Sequence, residues 1–345
     1  MTTFESYLNK FNEKQWLGVL TSITPEIHQV DRDAAQIWFG FYPLELLRYL
    51  QSAEDKAKAI QQFVIQGDYE LKNQIDSSHQ FLYGHRFWQE TKTAIIKHAE
   101  NFQSENADLA NEIRAIAKNA ASAAKTTEDL TVGITTVGLM TLVQVGFDAF
   151  KQSAGTPTVD PQTKNQSPQK IVEQRAKDDS QGILGFLKTV NKEWTVRYID
   201  DTDSGKFKLM NDEEIASGAA RDQSKNWVER DFRCGEGVIP VECRSSACGT
   251  CWVGVLGGAD KLSDVAPRER KQMKIFGYRQ GEEARPLMRL ACQAKATGAV
   301  SIVIPPWNGV FGKKVYGGVA DVTLEPATTS AAKLRETIST AMTDE

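Results

Sequence analysis

The chain has 345 residues, enough for about two domains that each bury a core, and its 41% hydrophobic and 25% charged content is ordinary for a soluble globular protein. A net charge of −4 argues against a general binder of nucleic acid or acidic membrane. Five cysteines, all between positions 234 and 292, argue against a disulfide framework spread over the fold and for a metal site in a reducing compartment.

The opening residues, Met1-Thr-Thr-Phe-Glu-Ser-Tyr-Leu, lack the basic segment, apolar stretch and cleavage site of a secretory signal. The expected location is cytoplasmic, or peripheral to a membrane complex. Residues 1–152 read as an all-α helical bundle, since apolar residues recur at spacings of three and four, as in Leu109, Ile113, Ile116, Ala120 and Ala123. Helices are expected over about 3–20, 43–66, 68–100 and 104–125, with Pro43 in a first turn and Gly67 at a break. Leu130 to Phe147 is free of charged residues but carries three glycines, four threonines and Gln144, without basic anchors at its ends. It is expected to be a buried bundle helix, with a partner interface or a membrane contact as the alternatives. The aromatic group Trp38, Phe39, Phe41, Tyr42, Phe81, Tyr83, Phe87 and Trp88 is expected to be core. His28, His79, His85 and His98 are dispersed and make no Glu-x-x-His or His-Glu-x-x-His motif, so a haem or di-iron site is not expected.

Residues 153–192 turn to Pro, Thr, Ser, Gln, Asn and Lys, the composition of a linker. Ile183, Leu184, Phe186, Leu187 and Val190 within it form a short amphipathic helix. From Trp194 the pattern is strand-like. Thr195 to Ile199 alternates, Asp203-Ser-Gly205 turns, Lys206 to Met210 returns as a hairpin partner, and Asp212 is placed to cap a helix through Ile215 and Ala219. A domain is expected over 193–319, and 320–345 reads as a flexible tail.

Cys243 and Cys248 enclose four residues, Cys248 and Cys251 enclose two, and Cys251 and Cys292 enclose forty. Two irons bridged by two sulfides need four thiolates, and a tight loop can present three while a distant strand supplies the fourth. Ser245, Ser246, Ala247, Gly249 and Thr250 are small, so backbone amides can approach the sulfurs. Zinc also binds four thiolates, but its sites usually pair two Cys-x2-Cys knuckles, and this sequence has one.

The run Gly237-Val-Ile-Pro-Val-Glu-Cys243-Arg-Ser-Ser-Ala-Cys248-Gly-Thr-Cys251, with Gly254 to Gly258, Leu262, Arg289-Leu-Ala-Cys292-Gln293 and Val300 to Pro305, resembles the plant-type [2Fe–2S] ferredoxin family over about 193–307. The resemblance implies a C-terminal α+β domain of β-grasp fold, with one [2Fe–2S] cluster held as metal and cofactor by Cys243, Cys248, Cys251 and Cys292. Two departures stand out. Ser246 occupies a position where the family commonly has glycine, whose positive φ serine adopts less readily, and about Asp222 to Glu229 the chain carries an insertion able to form a partner contact. Cys234 is expected to be a packed thiol.

Simple members of that family are strongly acidic, whereas residues 193–320 hold 19 Lys plus Arg against 17 Asp plus Glu. Arg268, Arg270, Lys271, Lys274 and Arg279 gather in one stretch, with 270, 274 and 271 expected to share a face that meets an acidic redox partner. Positive surroundings and amide hydrogen bonds move the potential above the roughly −400 mV of plant-type ferredoxins. No Gly-x-Gly-x-x-Gly or Walker loop indicates flavin, NAD or ATP, and no catalytic constellation indicates an enzyme. The expected function is electron transport by a one-electron carrier whose helical domain docks it onto a specific partner. The alternative is a fixed iron–sulfur subunit or structural component of a larger redox, photosynthetic or envelope assembly. Nothing in the sequence fixes an oligomeric state.

Overall fold

Local capping decides where the first helices stop. In the computed structural model, which describes residues 2–103, 107–159, 163–178, 192–279, 281 and 283–317, α1 (Thr3–Leu8) and α2 (Glu13–Ile23) each begin with a reciprocal capping box, Thr2 with Glu5 and Asn12 with Gln15. The single helix expected over 3–20 is therefore two. The chain divides into two units, residues 1–53 with 68–174 and residues 54–67 with 175–345.

In the first unit α3 (Gln29–Phe41) and α4 (Leu44–Ser52) follow. The chain then enters the second unit for α5 (Lys56–Gln62) and returns for α6 (Trp88–Asn101), α7 (Leu109–Ala124), α8 (Asp129–Val145), α9 (Phe147–Gln152) and α10 (Pro168–Arg175). Residues 68–87, expected to be helical, contain only short 3-10 turns at Leu71–Asn73 and Tyr83–Phe87. The second of these turns is fixed by Asp31. Its buried carboxylate accepts the N–H groups of Tyr83 (2.6 Å) and Gly84 (2.7 Å), and a side chain at Gly84 would come within 2.9 Å of the Leu130 carbonyl. A charged acceptor thus caps the N–H groups that open the turn, which have no carbonyl of their own to bond.

α8 is the core helix of this unit. Every residue from Leu130 to Val143 is buried, and the helix packs against α1, α3, α6 and α7. The hydroxyls of Thr131, Thr136 and Thr141 donate to the carbonyls of Ala117, Val132 and Val137 at 2.8–2.9 Å, which satisfies polar groups that burial would otherwise penalise. The apolar segment 130–147 is therefore bundle core. Among the described residues no helix is long and apolar enough to cross a membrane.

The second unit consists of α5 and β1 (Gln66–Gly67), then β2 (Glu193–Ile199), β3 (Ser204–Met210), β4 (Glu213–Glu214), α11 (Ile215–Arg221), α12 (Trp227–Arg230), β5 (Trp252–Gly257), α13 (Pro267–Phe276), β6 (Met288–Leu290), β7 (Lys295–Ala296), β8 (Val300–Val303), β9 (Trp307–Asn308) and α14 (Gly312–Val315). Five strands form one sheet in the order β3-β2-β8-β5-β6, with β2 and β8 parallel and the other pairs antiparallel. This is the mixed β-grasp sheet expected of the domain, with α11 packed on β3 and α13 on β6. The β2–β3 hairpin closes as its sequence implies, the Asp200 carboxylate accepting the N–H groups of Thr202 and Asp203. Asp212 does not cap a helix. It takes a left-handed φ of +62° in the turn before β4, and Glu214 occupies the N-cap of α11.

Residues 54–67, expected in the helical domain, belong to the second unit. β1 pairs with β9 in the register Gln66 to Asn308 and Gly67 to Trp307, and the Phe63 carbonyl accepts the Val310 N–H at 2.7 Å. A side chain at Gly67, whose φ is +81°, would lie 2.2 Å from the Pro306 carbonyl, so only glycine fits. The stretch expected as a linker is anchored at both ends. In the first unit Asp76 accepts from Ser153 Oγ and the Gly155 N–H. In the second, Ser301 Oγ donates to Arg175 O at 2.7 Å and Asp178 accepts the Ala299 N–H at 2.6 Å. The amphipathic helix expected at 183–190 and the tail 320–345 lie outside the described residues.

Candidate metal centre

The cysteine loop runs from Cys243 into β5. Antiparallel pairing of β5 with β6 sets Trp252 opposite Leu290, and the Ala291 N–H donates to the Cys251 carbonyl at 2.8 Å. That register brings Cys292, 41 residues on, beside Cys251. Between Cys243 and Cys251 the backbone passes through positive φ at Arg244 (+52°), Ser246 (+57°) and Gly249 (+77°). Serine therefore does adopt the conformation that the family's glycine would adopt freely, at a cost of about 1–2 kcal/mol. Its hydroxyl donates to Ser245 O at 2.6 Å. Arg244 is held by Glu236 and by Ser217 Oγ at 3.0 Å.

The four thiols influence one another as two pairs, Cys243 with Cys248 and Cys251 with Cys292. Cys243, Cys251 and Cys292 are buried and Cys248 is half-buried. The Cys248 thiol and the amides of Ser245 (3.4 Å) and Ala247 (3.2 Å) stabilise a thiolate at Cys243 and hold its pKa well below that of a free thiol. In the second pair Cys251 and the side chain of Gln293 do the same for Cys292, while Cys251 is pushed up. Among the described residues, no three His, Cys, Asp or Glu side chains converge as one ion would need.

α13 braces both cysteine-bearing segments from behind. A side chain at Gly249 would meet the Phe276 ring at 2.8 Å, so loop and helix are in close contact. Glu269 and Arg289, both wholly buried, form a two-pronged ion pair with both distances 2.9 Å, and Glu269 also accepts the Leu290 N–H at 2.9 Å. On the outer side Arg268, Lys271 and Lys274 are exposed at a spacing of three. The expected face containing Arg270 is corrected, because Arg270 is half-buried and its guanidinium donates to the carbonyls of Gly281 and Glu283.

Cys234 is buried, its Sγ donates to Val238 O at 3.2 Å, and burial pushes its pKa up to about 12. It is packed as an ordinary thiol. The insertion at 222–229 turns Trp227 inward, its indole N–H bonded to Asp222 O, and leaves Val228 exposed. The histidines are less dispersed than the sequence suggests. His79 and His85 meet in the first unit with their Nδ1 atoms 2.8 Å apart, both buried, and His85 Nε2 lies 3.1 Å from Thr158 O. No motif announces a pair six residues apart in an irregular segment.

The sheet in this order thus places three thiols on the loop entering β5 and a fourth just after β6. Residues 222–297, all within the second unit, match the family of 2Fe-2S iron-sulfur cluster binding domains. No curated protein and no solved structure matches the chain.

Proposed function

We propose that the second unit holds one [2Fe–2S] cluster on Cys243, Cys248, Cys251 and Cys292, and that the chain passes single electrons to a specific acidic redox partner. The observation that carries this reading is the strand register that sets Cys292 beside the loop bearing Cys243, Cys248 and Cys251, within residues that match the 2Fe-2S iron-sulfur cluster binding family. The donor set also fits a cluster in its burial and in the amide N–H groups aimed at sulfur. When bound, the cluster supplies one-electron oxidation and reduction without making or breaking covalent bonds to a substrate.

The residues around it do the rest. Amides at Ser245 and Ala247 offset the negative charge that reduction adds, which favours the reduced state. Burial of three thiols keeps water from the sulfurs, while half-buried Cys248 marks the side from which an electron has the shortest path to the surface. The exposed stripe of Arg268, Lys271 and Lys274 lies on the helix whose inner face braces both cysteine segments, and so offers a charged guide for an acidic partner close to the cluster. The helical unit is the part of the chain left to select that partner, since tethering raises effective concentration. Burial of Leu130–Val143 in its own unit supports this reading over a fixed assembly subunit with residues 130–147 buried in an interface.

The test is spectroscopic. The purified full chain is expected to be coloured and, on reduction by one electron, to gain an electron paramagnetic resonance signal from one unpaired electron. A colourless protein containing one zinc would overturn the reading.

A further inference from the structure

We infer that Tyr278 is a positioning residue for the cluster, fixing the peptide between the second and third cysteines and referring it to residues 63–67. The inference rests on the ligand assignment above and extends it to a residue outside the cysteine loop.

The Gly249–Thr250 peptide lies between Cys248 and Cys251. On one side its carbonyl accepts the Tyr278 hydroxyl at 2.8 Å, and on the other Thr250, which supplies its N–H, sits beside Cys248 with its hydroxyl 3.2 Å from the sulfur. A peptide is planar, so holding the carbonyl also aims the amide. Tyr278 is 3% exposed, and no water can replace its hydroxyl without opening the core. Its ring cannot swing away easily, because the Trp252 indole stacks on it with centroids 3.9 Å apart and planes 6° off parallel.

The same hydroxyl accepts the Gly309 N–H at 3.0 Å. Gly309 sits between Asn308, paired with Gln66, and Val310, whose N–H reaches Phe63 O. A side chain at Gly309 would meet Ile65 at 3.0 Å. Trp252, the residue after Cys251, donates its indole N–H to Trp307 O at 2.8 Å. Both flanks of the Cys248–Cys251 knuckle are therefore fastened to residues 307–309, which in turn are paired with residues of the N-terminal half of the sequence.

The test is Tyr278→Phe in the full chain, which removes the hydroxyl and keeps the stacked ring. In apo protein, hydrogen exchange is expected to quicken selectively at the Thr250 and Gly309 amides by about five- to tenfold, the worth of one buried hydrogen bond, with the β2–β8 amides unchanged. In the loaded protein the midpoint potential moves to a more negative value, and chelator extracts iron faster. Phe63→Ala, which removes the ring lying 6.4 Å from that of Phe311 and so loosens the segment carrying Phe63 O, quickens exchange at Gly309 in either background, but at Thr250 only where Tyr278 is intact. Unchanged exchange at Thr250 in Tyr278→Phe, or an unchanged potential, would overturn the inference. The exchange measurement needs no cluster, so failure of the inference is distinguishable from failure of the ligand assignment, which the wild-type spectrum tests.

Discussion

Removing the Glu269 carboxylate with Glu269→Ala is the sharpest test of how Cys292 is held. Both Glu269 and Arg289 are wholly buried, and the pair is joined by two contacts of 2.9 Å. Loss of the carboxylate strands the guanidinium in a dry interior, which costs about 3–5 kcal/mol. It also orphans the Leu290 N–H, two residues before Cys292, at a further cost of about 1–3 kcal/mol. Against a typical total stability of about 5–15 kcal/mol, the second unit should be close to unfolding. The assay is urea-dependent hydrogen exchange of full-length apo protein, read on the peptides spanning 286–294 and, as an internal reference, on α8. The double variant Glu269→Leu with Arg289→Met removes both charges and should recover most of the loss, since a buried ion pair contributes little over an apolar pair of similar shape. A single variant within about 1 kcal/mol of wild type, or a double variant no better than the single, would refute the argument that an unpaired buried charge dominates.

Ser246→Gly should load at least as much cluster as wild type, while Ser246→Val, which puts a β-branched residue at a φ of +57°, should lose most of it, as absorbance per protein will show. Charge reversal of Arg268 and Lys271 should slow electron transfer to the native partner at low salt and leave the rate at high salt nearly unchanged; equal rates at both ionic strengths would remove the docking stripe from consideration. Cys234→Ser should leave the visible spectrum unaltered, because the thiol packs against Val238. The first unit should weaken in acid. Burial pushes His85 down to about 4 and His79 well below its usual value, whereas unfolded histidine titrates near 6.5. Below pH of about 6.5 the unfolded chain binds protons that the folded unit refuses, so stability falls toward pH 4 by about 3 kcal/mol for His85 alone. Thermal unfolding of α8 peptides between pH 7 and 4 measures it, and a flat profile would show that the pair is not buried in solution.

The sequence speaks most clearly where its signals are local. The β2–β3 hairpin announces itself through alternation and an Asp-rich turn, and the three cysteines on one loop through their spacing. The positive φ at Ser246 could be anticipated because one small residue had replaced another at a known bend. What stayed hidden depends on distant partners. β1 is two residues long, too short for alternation, and pairs with residues about 240 positions away. The Asp31 carboxylate caps the start of the 3-10 turn at Tyr83 from 52 residues off. Tyr278 reads as one more core aromatic until its hydroxyl is seen between two glycine backbones. Arg270 belonged to the expected basic face by periodicity alone, and only the position of Gly281 and Glu283 withdraws it.

The excursion of residues 54–67 sets an order of events in time. Gln66 must wait for Asn308, 242 residues later in the chain. At about 5–20 residues per second of synthesis, that delay is on the order of 10 to 50 s. During it a short apolar stretch containing Phe63 and Ile65 has no strand to join and is open to chaperones, proteases or a wrong partner edge. The segments on which the cysteine loop rests are thus made far apart in time. A site able to hold a cluster can close only once residues 307–309 have been made, which separates a long open stage from a short closing step.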